Sequence, residues 1–260
     1  MPQVNHDAAT IHYEVMGEGQ PLLLIAGTAS DGASWGPLLP LLAGRQLILI
    51  DNRGSGQTRV EGSLSHDEMI EDCAALLDHL GLGAVDVVGH SLGAFLALGL
   101  AARHPAHVRR VTSLCLGAMD ARTRAVFDEL AEVYFLVPPE NFFRLLYPWL
   151  FSNPFFADPD TVAAAAAASA GYPHRQSPGD FARQIAAMQH PARFDLAAIS
   201  CPVLVVAAEH DLLAPPSAVA AAHVAIPRHE LLTIPGAAHS IHWERPEAVA
   251  EAILDFLGRN

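Results

Sequence analysis

A serine hydroxyl becomes an effective nucleophile only when a base lies within hydrogen-bond reach and a carboxylate orients that base. Ser91 is placed for such chemistry. It stands in Gly89-His90-Ser91-Leu92-Gly93, between the run Val85-Asp86-Val87-Val88 and an alanine- and leucine-rich segment. The β-branched run suits a buried strand, and the segment after it suits a helix. G-x-S-x-G in that setting reads as a nucleophile elbow, a strained turn that lifts the serine out at the carboxyl end of a central sheet. Glycine is needed on both sides because a Cβ would collide with neighbouring backbone in so sharp a turn. The acid and the base are then expected beyond later strands. Asp211 follows the apolar run 202–208 and His239 follows the run 230–234, so both would share one sheet edge with Ser91.

The elements that must hold these residues are legible around them. Residues 3–16 alternate about Ile11, Tyr13 and Val15 and end at Gly17-Glu18-Gly19, as an amino-terminal strand pair would. Residues 21–27 and 46–51 are continuous apolar runs of the kind found in buried parallel strands. Ser65 and Glu68 form a capping box ahead of an amphipathic helix that Gly81 and Gly83 end. Residues 92–103 make the next helix and 108–117 the sixth strand. Beyond it the composition changes, for residues 120–195 hold 13 of the 18 aromatics and an alanine tract over 162–170. This is expected to be a helical cap. Its Phe143, Tyr147, Trp149 and Phe151 are candidates for a pocket wall, and Arg144 or Arg175 could meet a carboxylate. Alternation of strand and helix then resumes to the end of the chain. The expected fold is α/β, a mostly parallel central sheet flanked by helices, with a core of 1–119 and 196–260 interrupted by the cap at 120–195.

Composition narrows the function. The chain has 260 residues, 51% hydrophobic and 17% charged, with a formal charge of −13. That charge disfavours nucleic acid and an anionic membrane surface as partners. All fifteen basic residues are arginine, which excludes Schiff-base chemistry and a lysine-anchored pyridoxal cofactor. Cys73, Cys115 and Cys201 are odd in number and far apart, so they suit buried thiols better than disulfides or a zinc site. The start, Met1-Pro2-Gln3-Val4-Asn5-His6, lacks the features of a signal peptide, and no apolar run reaches the ~20 residues of a membrane span. A cytoplasmic location is expected; the oligomeric state is left open.

Over nearly its whole length the chain resembles the α/β-hydrolase superfamily. The matching strings are Gly89-His90-Ser91-Leu92-Gly93, the run from Pro202 to Asp211, and the run Gly236-Ala237-Ala238-His239 through Pro246. Within the superfamily it most resembles the small enol-lactonase, aminoacrylate-hydrolase and carboxylesterase group. The order Ser, Asp, His is the one that fold uses. The resemblance implies a cofactor-free serine hydrolase of a small ester or lactone, with Ser91 as nucleophile, His239 as base and Asp211 as orienting acid. It also implies an oxyanion hole from the backbone N–H groups of Leu92 and Thr28. Many relatives carry His-Gly before that second donor, where this chain has Ala26-Gly27.

Alternatives stand beside these roles. Glu209 or Asp120 could serve as the acid, and His242 forms H-x-x-H with His239, though without further ligands at metal-binding spacing. His90 suits packing beside the nucleophile, while Asp51 and Arg53 suit loop structure. The same triad could cleave an amide or a carbon–carbon bond. The fold also carries receptors and cofactor-free oxygenases.

Overall fold

A strand covered on both faces calls for a continuous apolar run, and the inner part of the third strand here is one. In the computed structural model, which describes residues 2–62 and 64–259, Leu22, Leu23, Leu24 and Ile25 are all fully buried. They form the end of β3, Gln20–Ile25. The earlier strands are β1, Gln3–His6, and β2, Ala9–Met16; β4, Arg45–Ile50, and the short β5, Arg59–Val60, follow. Then come α1 (His66–His79), β6 (Val85–His90), α2 (Leu92–Arg103) and β7 (Val108–Leu114). Four helices intervene: α3 (Ala121–Leu136), α4 (Pro139–Leu150), α5 (Pro159–Gly171) and α6 (Pro178–Met188). The chain closes with β8 (Val203–Ala208), α7 (Pro216–His223), β9 (His229–Ile234), α8 (Ile241–Glu244) and α9 (Pro246–Gly258).

The nine strands make one sheet in the order β1-β2-β4-β3-β6-β7-β8-β9, with β5 paired to β2. β2 runs antiparallel to β1, β4 and β5, and every pair from β4 to β9 is parallel. The sheet is therefore the mostly parallel one expected, and β5 makes the strand before the helical insertion the seventh. β1 and β2 turn at Asp7, whose φ is +47°, whereas Gly17 and Gly19 lead β2 into β3. The capping box forms as read: Ser65 Oγ accepts from the Glu68 N–H and donates to the Glu68 carboxylate.

Side chains of β3 alternate between two cores. Leu23 and Ile25 pack with α1 and α2 on one face, while Leu22 and Leu24 pack with Trp35 and α9 on the other. The chain winds outward from β3 in both directions, to β4 on one side and to β6 on the other. The crevice at the carboxyl ends of β3 and β6 is thus a topological switch point, where open α/β sheets bind ligands. Ser91 lies at that point, directly after β6.

The corner between β6 and α2 is set by contact with β3. A Cβ on Gly93 would run into the Ile25 carbonyl and lie 2.7 Å from that of Ala26, and one on Gly89 would run into the Gly93 carbonyl. Backbone, not a mobile side chain, fills both spaces. We expect Gly93→Ala to destabilise the fold by about 3 kcal/mol or more, read from the urea midpoint, because the Ile25 carbonyl belongs to a buried sheet strand and the Ala26 carbonyl holds the buried Asn52 amide.

Candidate active site

Ser91 has φ +52° and ψ −116°, a conformation that costs a non-glycine residue about 1–3 kcal/mol. It is held there by its neighbours: its N–H donates to the Leu114 carbonyl of β7, and its own carbonyl accepts from Ala94 and Phe95 in α2. The side chain is thereby directed away from both elements, to the sheet edge.

His239 arrives from the loop after β9, and its Nδ1 lies 2.8 Å from Asp211 Oδ2. A carboxylate only accepts, so Nδ1 carries a proton, which in the neutral ring makes Nε2 the acceptor. Asp211, in the loop after β8, uses its other oxygen to accept from the N–H groups of Leu213 and Ala214, both at 2.8 Å. Burial pushes the Asp211 carboxyl up, but the facing imidazole and these hydrogen bonds outweigh it and hold the group below its ordinary value. Ser91 and His239 border the same two chambers. Ser91 Oγ makes no hydrogen bond to Nε2 here, and contacts of this kind tighten when substrate is bound.

The competing residues are engaged elsewhere. Glu209 accepts from the Gly236 N–H, and Asp120 caps α3 by accepting from the Thr123 N–H. His242 packs between Trp35 and His90, with ring centroids 5.1 and 4.6 Å away. His90 donates from Nε2 to the His239 carbonyl at 2.8 Å, which fixes the loop that carries the imidazole. Asp51 accepts from the Gly32 and Gln57 N–H groups, and the fully buried Arg53 forms a two-pronged pair with Asp72. Both organise loops beside the site.

Two chambers meet at Ser91. The smaller, about 60 Å³, is bordered by Thr28, His90, Leu146 and Phe181. The larger, about 530 Å³, runs along α2 past Leu92, Phe95 and Leu98 to Phe194. Gly27 lies close enough to Ser91 that a Cβ on it would be 3.3 Å from the serine Cβ, so the loop after β3 closes directly over the nucleophile. Among the described residues, neither the Thr28 nor the Leu92 N–H has a protein acceptor.

A family model described as the alpha/beta hydrolase fold matches residues 20–246. Over 251 residues the chain is 32% identical to a candidate non-heme bromoperoxidase, BpoC, of Mycobacterium tuberculosis, with 94% of this chain and 96% of that protein covered. The chain belongs to the α/β-hydrolase family. This α/β hydrolase is also 30% identical to a candidate carbamate hydrolase, RutD, of Azorhizobium caulinodans, across 99% of its own length and 98% of the relative's. A thermophilic esterase from Thermogutta terrifontis superposes on it with a TM-score of 0.83 at 26% identity, covering 96% of this chain and 93% of the other.

The four aromatics expected in the pocket wall of this hydrolase border neither chamber. Phe142 and Leu146 point inward from α4; Phe143 and Tyr147, one residue on, are turned about 100° round the helix, with Phe143 at the edge of the insertion's core. Phe143 and Tyr147 lie beside one another, the Tyr147 hydroxyl bonds Ser169 of α5, and Phe151 stacks on Phe155. Trp149 packs at the edge of the helical insertion's own core. Phe127 from α3, Met188 from α6 and Phe194 border the large chamber instead. Arg144 is exposed, and Arg175 is engaged by the Tyr134 hydroxyl and the Ala170 carbonyl, whereas Arg124 and Arg193 border the chamber.

The sequence reading also passed over the residues that fasten the insertion. Gln184, fully buried in α6, accepts from the Ala29 N–H and donates to the Arg53 carbonyl and the Ser55 hydroxyl. Glu244 accepts from Ser152 after α4 and, with its other oxygen, from the Ala238 N–H beside His239. A glutamine amid apolar helical positions and a glutamate five residues after the candidate base were the only signals.

Several histidines of this hydrolase stay neutral. Burial, followed by His239, pushes His242 down to about 3, and burial pushes His66 down to about 4. Burial and the neighbouring histidines hold His90 well below its ordinary value, and burial lowers His223. In the unfolded chain all four titrate near 6.5. Between about pH 6.5 and about 4 the unfolded chain thus binds more protons than the folded one, so stability falls on acidification. Asp31, raised by burial and by Asp51, opposes this only in the carboxylate range. We expect Tm to drop steadily from about pH 7 to about pH 4.5, and a Tm that rises across that interval would contradict neutral burial of these rings.

Proposed function

We propose that this α/β hydrolase cleaves a small carboxylic ester or lactone without a cofactor, through an acyl-enzyme on Ser91. The observation that carries the reading is the His239–Asp211 hydrogen bond at the edge of the same chambers as the strained Ser91. Ser91 Oγ attacks the carbonyl carbon while His239 Nε2 takes its proton. Asp211 holds the imidazole with Nε2 facing the serine and stabilises the positive ring that forms. The oxyanion accepts from the Leu92 and Thr28 N–H groups, which need no rearrangement to receive it. His239 then returns the proton to the departing alcohol. Water, activated by the same imidazole, releases the acid and restores Ser91. A lactone follows the same course and stays one molecule.

Residues 120–195 act as a cap over a core of 1–119 and 196–260, fastened through Gln184 and Glu244. The relatives' names span a bromoperoxidase, a carbamate hydrolase and an esterase. A chamber of about 530 Å³, bordered mostly by apolar groups, supports an ester with a bulky arm. The three free cysteines, two of them buried, suit the reducing cytoplasm.

A fluorophosphonate probe is expected to label Ser91, and Ser91→Ala to lose both labelling and aryl-ester hydrolysis, the latter on the order of 10⁴-fold or more, with Tm no lower than wild type. Full activity in that variant, or turnover that requires oxygen, would overturn the reading. Asp211→Asn is expected to lower kcat by about 10⁴-fold through the wrong imidazole tautomer, while Glu209→Gln and Asp120→Asn stay within about twofold. Steady-state kinetics on one aryl ester separates the three acids.

A further inference from the structure

The large chamber is apolar along most of its length, yet a histidine faces it. His66, the first residue of α1, borders the chamber and is only 4% exposed, and among the described residues neither of its ring nitrogens has a hydrogen-bond partner. Its ring lies against Phe95, one turn of α2 beyond Ser91, with centroids 5.1 Å apart. Phe95 in turn meets Phe194 at 5.0 Å. The three rings make one wall of the chamber. The Ser65 hydroxyl caps the helix through Glu68, so the imidazole has no part in starting α1.

Leaving a buried hydrogen-bonding group without a partner is costly, and sites built around one reject ligands that do not supply it. Burial keeps this imidazole neutral, with one N–H donor and one bare nitrogen acceptor. Both nitrogens are covered as the ring stands, and a turn about its Cβ–Cγ bond presents one to a neutral oxygen: a carbonyl then accepts from the N–H, and a hydroxyl bonds to either nitrogen. A wholly hydrocarbon arm would fill the chamber and leave both nitrogens unpaired. Arg124 and Arg193 border the same chamber, but Arg124 donates to Gln189 and Arg193 is exposed; among the described residues of the wall, the buried polar side chain left without a hydrogen-bond partner is His66.

We infer that His66 is a specificity-determining residue that hydrogen-bonds a hydroxyl or oxo oxygen carried on the longer, otherwise apolar arm of the ester. This rests on the ester-hydrolase reading and adds the substrate class to it: esters or lactones with an oxygen function remote from the scissile carbonyl.

The test compares methyl octanoate with its oxo and hydroxy derivatives, and octyl acetate with the matching oxo and hydroxyoctyl acetates, by titrating the acid released. In the wild type at least one oxygenated ester should exceed its plain counterpart roughly tenfold in kcat/KM, mostly through KM. In His66→Leu the ratio should fall to about one, and His66→Gln, which keeps a donor and an acceptor, should restore part of it. A merely structural His66 would change both esters alike. The absence of any preference in the wild type, or a preference that survives in His66→Leu, would overturn the inference. Should the wild type hydrolyse none of these esters, the ester reading fails by itself. The subsite is then judged by thermal shift with heptanone and heptanol against heptyl chloride: a larger shift for the oxygenated ligands, lost in His66→Leu, supports it, and equal shifts sink it.

Discussion

The close approach of α2 to the end of β3 is the constraint on which the site depends. With no side chain at Gly89 or Gly93, the backbone of the β6–α2 corner rests directly on the carbonyls of Ile25 and Ala26. That contact does two things at once. It bends the chain so sharply that Ser91 takes a positive φ, and it brings the loop carrying Thr28 against the serine. The N–H of Leu92 is unpaired for a separate reason, since the first N–H groups of any helix have no intrahelical acceptor. One packing event therefore sets the candidate nucleophile beside two free donors. The strain at Ser91 is offset by the fully buried β6 and the buried end of β3 beside it, which give the corner nowhere to relax.

The opposite side of the site is governed by electrostatics in a dry environment. Asp211 keeps its charge despite burial because two backbone N–H groups and the His239 ring compensate it. His90 and His242 surround that ring as neutral groups, so neither adds a positive charge beside it. A second cation among them would compete for Asp211 and raise the cost of forming an imidazolium. Cys115 reinforces the arrangement, because burial, followed by the Asp211 charge, pushes its thiol up and keeps it from ionising next to the acid.

Residue patterns in the sequence located most of this and missed a definable part. The β-branched and leucine runs that became β3, β6 and β8 are buried on both faces, and such strands leave little ambiguity. Ser91 announced itself through two glycines whose reason is local. Between Glu209 and Asp211, both in one loop, spacing alone did not decide; the Ala208 carbonyl accepting from the Asp211 N–H turns the chain so that Asp211 points inward. The pocket wall was illegible for a different reason. α4 is aromatic on more than one face, and which face meets the chamber depends on where α5 and the 153–156 turn pack. The two-residue β5 has no pattern of its own and exists only because β2 offers an open edge. Nothing in the sequence singled out His66, since no residue pattern shows that a ring will be buried without a partner.

The distribution of fastenings also determines how the large chamber communicates with solvent. On the side of the small chamber the insertion is tied down repeatedly: Gln184 and Gln176 to the loop at 53–55, Tyr172 to Asp31, Ser152 to Glu244, and the Leu150 carbonyl to the Ser240 N–H. Gln184 and Gln176 are buried amides, whose release would leave polar groups unpaired in an apolar setting. Opening there would break several such contacts together. The large chamber instead is bordered by exposed residues at Ala118 after β7 and at Pro191 and Arg193 after α6. Beyond α6 the chain here runs without helix or strand until the short turn at Leu196–Ala198, so few backbone bonds hold it. On the proposed ester reading, an arm that lies along α2 in this chamber leaves the fastened loop over Ser91 undisturbed, with the Thr28 and Leu92 N–H groups where they stand.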